Sequence, residues 1–208
     1  TLQAPYYLDD SYNIRDNRHI RLTQLTLEGL LKAGFDSPIA TRPVANISFG
    51  LNYYVGGGDV FGYHLVNVAI HMITGLLLFL FVQTTLTLRQ KTGGDASGAA
   101  ADSAPAYGWH ALDPTIVSFW TAALWLVHPV QTQSVTYVVQ RMNSMAAMFY
   151  VLSIHLYARF RLSASHRHKW WLLASCILAA LLALASKQIA ATLPFVILAY
   201  EGYFFRRA

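Results

Sequence analysis

The sequence predicts an all-α polytopic membrane protein, and three observations carry that expectation. Of its 208 residues, 55% are hydrophobic and only 12% are charged, about half the charged share of a soluble domain; mean hydropathy is +0.37. Long stretches lack Asp, Glu, Lys and Arg altogether, and a membrane span needs roughly 17–25 predominantly apolar residues. The basic residues, 15 Lys and Arg against 10 Asp and Glu for a net charge of +5, gather in short loops beside those stretches. That placement assigns the excess to membrane orientation and excludes a nucleic-acid partner. The single cysteine, Cys176, lies inside an apolar run, which leaves no disulfide framework and no CxxC motif.

Residues 1–59 read as a first extracytoplasmic loop. Its opening Thr1-Leu2-Gln3-Ala4-Pro5 has neither a basic nor an apolar leader region, and a further span is expected upstream. Ile20, Leu22, Leu25, Leu27, Leu30 and Leu31 recur through His19–Ala33 among polar residues, which predicts a short amphipathic helix lying on the outer membrane surface. Gly56-Gly57-Gly58 is followed by Asp-Val-Phe, so it is a turn and not a phosphate loop.

Residues 60–88 form the first membrane helix, apolar on every side from Tyr63 to Leu86. Residues 89–113, rich in Gly, Ala and Ser, read as a flexible cytoplasmic linker. Residues 114–208 hold the remaining membrane helices. Thr115–Val127 ends at His128-Pro129 because proline removes a helical donor and clashes with the preceding turn. A new helix from about Thr132 runs through Arg141 into Met142–Ala158. Trp170–Ser186 and Gln188–Phe205 follow, as a tight hairpin or one long bent helix. About five membrane helices result, with outer turns at 128–133 and 186–189.

Loop charges orient this set. Placing residues 1–59 outside puts Arg89, Lys91, Arg159, Arg161, Arg167, Lys169, Arg206 and Arg207 inside, while the short outer turns hold only Arg141 and Lys187, as the positive-inside rule requires. Trp109, Trp120, Trp170 and Trp171 fit an interfacial aromatic belt.

This orientation brings Asp9, Asp10, Arg42, His128, Gln131, Arg141, Lys187 and Gln188 to one side of the membrane. Adjacent carboxylates can form a general base tuned by its twin, or ligands for a hard cation; alternatively the pair is an N-cap or turn. Arg141 and Lys187 interrupt apolar runs and need either an anionic partner, such as a lipid phosphate, or an end position from which to snorkel. Arg42-Pro43 reads alone as a solvated turn, and His128-Pro129 as a capped helix end. His64, His71 and His155 are expected to bond neighbouring helices. HExxH, HxxxH and GxSxG motifs are absent from the sequence, which argues against a metal hydrolase or a serine hydrolase.

The ordered string Asp9-Asp10, Arg42-Pro43, Asn52-Tyr53, Gly62-Tyr63-His64-Leu65-Val66-Asn67, His128-Pro129-Val130-Gln131-Thr132-Gln133-Ser134-Val135, Gln140-Arg141-Met142 and Ser186-Lys187-Gln188 resembles a known family. It is similar to the N-terminal membrane module of GT-C glycosyltransferases of the transmembrane-and-tetratricopeptide-repeat type, bacterial relatives of the metazoan protein O-mannosyltransferases. The resemblance implies a partial GT-C fold in a bacterial inner membrane, with the Asp9-Asp10 loop periplasmic. It further implies transfer of a sugar, with inversion, from a polyprenyl-phosphate carrier to a Ser or Thr hydroxyl of a protein, or to another extracytoplasmic acceptor. Asp9 and Asp10 map onto the catalytic acidic pair; Asp9 is read as the base and Asp10 as its orienting or pKa-setting neighbour, with the reverse order left open. Arg42, Arg141 and Lys187 would bind the donor phosphate, and His128, Gln131 and Gln188 would shape a sugar pocket. No cofactor besides the lipid-linked donor is implied, and a divalent cation at Asp9-Asp10 is left open. Gln188 stands where family members often carry an acid, and the family's further spans and repeats are expected outside these 208 residues. A noncatalytic subunit serving as a platform in a larger membrane complex, and a transporter segment built on the broken helix at His128-Pro129, are the other readings.

Overall fold

The computed structural model describes residues 2–96 and 113–205, with side chains through Arg89 and again from Asp113. Trp109, Arg206 and Arg207 lie outside the described residues, as does most of the expected linker. All regular structure in the described residues is helical.

The first loop is more structured than its sequence pattern predicts. A single π turn covers Ser11–Arg15. Helix α1 spans Leu27–Phe35, begun by Thr26, whose hydroxyl accepts the Gly29 N–H and so satisfies an orphan donor of the first turn. The helix expected at His19–Ala33 is therefore displaced. Ile20 and Leu22 are buried in the core while Leu27, Leu31 and Phe35 line an exposed stripe, so one apparent periodicity was two separate apolar groups.

Helix α2, Pro43–Gly56, occupies residues whose sequence suggests only a turn at Arg42-Pro43. Pro43 serves as its first residue, where a missing N–H costs nothing. Gly57, at φ 63°, closes it by donating its N–H to the Tyr53 carbonyl. Asn46 ties α2 to α1 by donating to the carbonyls of Gly34 and Ile39, at 3.0 and 2.9 Å.

Helix α3 spans Val60–Ala96 and runs past the boundary expected at residue 88. Helix α4, Pro114–Val127, is capped by the Asp113 carboxylate on Thr115 N–H. His128-Pro129 breaks the chain as expected. The next helix does not run on through Arg141: α5 is only Thr132–Thr136, Tyr137 is extended, and Val138–Gln140 is a 3-10 turn. Helix α6 then spans Arg141–Leu162 and α7 His166–Leu184. Lys187 is extended, a 3-10 turn covers Gln188–Thr192, and α8 spans Leu193–Phe204. Gln188 meets Thr41, Tyr150 meets Thr192, and Glu201 meets Tyr157 and Arg161. Helix α8 thus descends alongside α6 and antiparallel to α7, which makes the last two apolar runs a hairpin.

Among the described residues, two helices are long and apolar enough to cross a membrane, Val60–Arg89 and His166–Leu184. Helix α4 is apolar but has 14 residues, about 21 Å at 1.5 Å per residue, short of a hydrocarbon core of roughly 30 Å. Helix α6 has the length, 22 residues, but carries Arg141, Arg159 and Arg161. The core sits at the first-loop end, where Ile14, Ile20 and Leu22 pack with Phe49, Tyr63, Val138 and Met142. That cluster fixes the loop against α2, α3 and α6.

Candidate functional site

Asp9 and Asp10 are neighbours with opposite environments. Asp10 is 1% exposed: its Oδ1 accepts the Val139 N–H at 2.7 Å and its Oδ2 accepts the Tyr7 N–H at 3.1 Å. It neither caps the Ser11–Arg15 turn with its side chain nor faces solvent. Burial pushes its carboxyl above the ordinary carboxylate range, although the backbone donors of Tyr7 and Val139 and the nearby His64 pull the other way. The same burial, reinforced by the Asp10 charge, pushes the Tyr6 phenol up to about 12. Asp9 is exposed; its N–H donates to Tyr137 Oη at 3.1 Å and its carbonyl accepts from Asn13 Nδ2. The backbone beneath the free carboxylate is therefore held from both sides.

Arg141 is fully buried, 0% exposed, and this corrects its expected role on a donor phosphate. Its Nε donates to Asn67 Oδ1 at 2.8 Å, Nη2 to Asn52 Oδ1 at 2.8 Å and to the Tyr63 carbonyl at 2.9 Å, and Nη1 to the Ser48 carbonyl at 3.2 Å. The guanidinium lies 4.8 Å from the Phe49 ring centre and 5.4 Å from that of Tyr63, within cation–π range. A planar fork can satisfy four acceptors at once, which an ammonium cannot. Arg141 is a strut joining α2, α3 and α6, with neither a phosphate-facing nor a snorkelling head.

Arg42 and Lys187 do come together. Val44 N–H donates to the Ala185 carbonyl at 3.1 Å and Gln188 Nε2 to Thr41 Oγ1, so the two cation-bearing turns are stitched side by side. Arg42 reaches Met142 Sδ at 3.1 Å and its buried Nε has no hydrogen-bond partner. Burial, with the Arg42 charge nearby, holds the Lys187 ammonium below its ordinary value. Among the described residues neither cation has a carboxylate partner. Two half-buried positive groups thus lie on adjoining turns.

His128 is exposed, and its Nδ1 accepts the Val130 N–H at 3.2 Å; it caps the turn after α4. Gln188 is exposed and donates its Nε2 to Thr41. Gln131 borders a cavity of about 230 Å³. Neither His64 nor His71 is isolated. The ring nitrogens of His64 lie 3.0 and 3.1 Å from the carbonyls of Ala4 and Val135, and His71 Nε2 lies 3.0 Å from that of Leu126. No group of three His, Cys, Asp or Glu side chains among the described residues is placed to hold a metal ion, and both Asp10 oxygens already accept hydrogen bonds. Sequence reasoning gave Asn52, Asn67 and Tyr137 no role of their own, because nothing in their local pattern announces partners 70 or more residues away.

The chain is 31% identical over 200 residues to protein O-mannosyl-transferase Tmtc1 of Drosophila melanogaster, covering 92% of this chain and 20% of that protein. It is 29% identical over 209 residues to protein O-mannosyl-transferase Tmtc3 of Drosophila melanogaster, covering 96% and 22%. Protein O-mannosyl-transferase TMTC4 of Homo sapiens is 31% identical over 152 residues, 71% of this chain and 19% of that protein. These relatives are all protein O-mannosyl-transferases. The chain spans about a fifth of the length of each. No protein-family profile and no solved structure matches it.

Asp10 bonds Val139, and Arg42 bonds Met142, so the acidic loop and the Arg42 turn are both held by the same short segment.

Proposed function

We propose that the chain is a membrane part of a GT-C glycosyltransferase that moves a sugar from a polyprenyl-phosphate carrier to a protein hydroxyl at the extracytoplasmic face. The observation that carries this reading is the division of labour in the acidic pair, a buried and locked Asp10 beside an exposed Asp9. Asp9 accepts the proton of an acceptor Ser or Thr hydroxyl as its oxygen attacks the anomeric carbon. The new carbon–oxygen bond forms on the face opposite the breaking bond to phosphate, and the configuration inverts. Positioned general bases of this kind contribute typically 10²–10⁴-fold. Arg42 and Lys187 offset the charge that develops on the departing phosphate. Asp10 does not react; it positions Asp9 by tying Tyr7 to Val139. The similarity to protein O-mannosyl-transferases supports a protein acceptor, and the apolar α3 and α7 support a membrane location. The five-span arrangement, its orientation and a bacterial inner-membrane home extend the same reading.

In the full-length protein, with a polyprenyl-phosphate-linked mannose as donor, Asp9→Asn is expected to lower transfer by about 10²–10⁴-fold without lowering the unfolding temperature. Full activity in both Asp9→Asn and Asp10→Asn would overturn the catalytic assignment and favour a noncatalytic platform.

A further inference from the structure

Beside α6 lies a cavity of about 230 Å³ whose lining is unusually mixed for a site among membrane helices. One wall is aromatic: His71 and Trp125 stack at 4.8 Å with 28° between their planes. The rest includes Thr74, Gln131, Asn143 and Ser144. The hydroxyls of Thr74 and Ser144 donate to the carbonyls of Ile70 and Gln140, which leaves their oxygen lone pairs for a ligand. Gln131 Oε1 accepts from Ser134 Oγ and Asn143 Nδ2 donates to Gln140 Oε1, which leaves Gln131 Nε2 and Asn143 Oδ1 without partners among the described residues. The cavity therefore offers donors, acceptors and one flat apolar face together, the complement of a pyranose ring with its hydroxyl edge and C–H face. Its volume is below the roughly 300–1,000 Å³ of sites for drug-sized ligands, which suits one sugar ring better than a peptide.

A second cavity, of about 410 Å³, begins where this one ends. It shares Asn143 and Ala147 and continues over Ala146, Tyr150, Val151, Ile189 and Ala190. Lys187 immediately precedes the Gln188–Thr192 turn that supplies part of its wall. Polar chamber and apolar groove adjoin, as the sugar and isoprenoid ends of a lipid-linked sugar require. The chamber is also coupled to the acidic loop: Asn143 bonds Gln140, Gln140 N–H bonds the Tyr137 carbonyl, and Tyr137 Oη holds the Asp9 N–H.

Resting on the function proposed above, we infer that the His71–Trp125 chamber is the donor-sugar pocket, with Gln131 and Asn143 reading the sugar hydroxyls and Trp125 carrying its apolar face. The test measures binding to the full-length protein in nanodiscs of two probes, polyprenyl phosphate and polyprenyl-phosphate mannose. Wild type is expected to prefer the glycosylated lipid. Gln131→Ala and Asn143→Ala are each expected to weaken that lipid about three- to tenfold, the worth of one neutral hydrogen bond, while leaving the sugar-free lipid unchanged. Trp125→Ala should do the same more strongly, and unfolding temperatures of all three variants separate lost binding from lost folding. Arg42→Ala and Lys187→Ala should weaken both lipids alike. Equal affinity of wild type for the two lipids, or variants that weaken both equally, would overturn the pocket and leave the donor reading standing; a wild type that binds neither lipid would remove both.

Discussion

The first-loop end of the molecule and helix α7 bury opposite kinds of residue. At the loop end Asp10, Asn46, Asn52, His64, Asn67 and Arg141 are all buried, and Arg141 alone links three helices through neutral acceptors. Helix α7 buries only Cys176, Ala179 and Ala183, small residues that let α6 approach so that Ser153 Oγ donates to the Cys176 carbonyl at 3.0 Å. Its large side chains, Trp170, Trp171, Ile177, Leu178 and Leu181, all point outward. Small-in, large-out packing is what a helix adopts when its surroundings are as apolar as its own leucines. Densely satisfied polar burial is what a chain adopts when it must hold groups in fixed places. The contrast separates a loop end organised by buried polar contacts from a helix whose large apolar side chains face outward.

The contrast breaks most directly at Arg141. Arg141→Met is expected to cost about 3–5 kcal/mol, because Asn52, Asn67 and the carbonyls of Ser48 and Tyr63 lose their shared donor inside the protein; thermal unfolding in detergent reads it. Near-wild-type stability would show that this end is no better organised than the rest. Asp10→Ala is expected to cost about 1–3 kcal/mol, since the N–H groups of Tyr7 and Val139 lose their acceptor.

Asp10 also gives the loop end a pH signature. Its folded carboxyl binds its proton more tightly than the ordinary 3.8, so between that value and the raised one the folded chain holds more protons than the unfolded chain. Its contribution to stability therefore declines as pH rises through this window. Asp10→Asn should flatten that part of a stability–pH curve, and an unchanged slope would disprove the linkage. The smallest effect belongs to the other region: Leu178, 58% exposed, fills no internal space, and Leu178→Ala should shift stability by less than about 0.5 kcal/mol. A loss comparable to that of Arg141→Met would erase the distinction.

The same contrast explains what could be read from the sequence. The apolar runs of α3, α4, α6 and α7 were legible because an uninterrupted apolar run announces itself residue by residue, and Pro129 marked its break for a local steric reason. Asp9, Asp10, Arg42 and Lys187 were legible as a motif string, but their environments were not. Adjacent Asp residues look equivalent until Val139, 129 positions away, selects one of them. Arg141 was expected either to meet an anion or to snorkel from a helix end because a charge in an apolar run demands compensation, yet two amides and two carbonyls supply it. Helix α2 escaped notice because Arg42-Pro43 reads equally as a turn or as a helix start, and the packing of Asn46 and Phe49 decides between them. The pocket beside Trp125 draws on α3, α4, the turn after Pro129 and α6, and no single segment carries its pattern.

The bond between Asp10 and Val139 also sets a clock. Ribosomes add about 5–20 residues per second, so the 129 positions between these partners correspond to roughly 6–26 s of elongation. Throughout that interval the acidic loop has no Val139 to close upon, and Asp10 stays hydrated and ionised beside Asp9. Arrival of the Val138–Gln140 turn withdraws one carboxylate from water and leaves the other outside. The two aspartates become chemically different only when that turn is delivered, which makes maturation of the acidic pair wait on a residue 129 positions further along the chain.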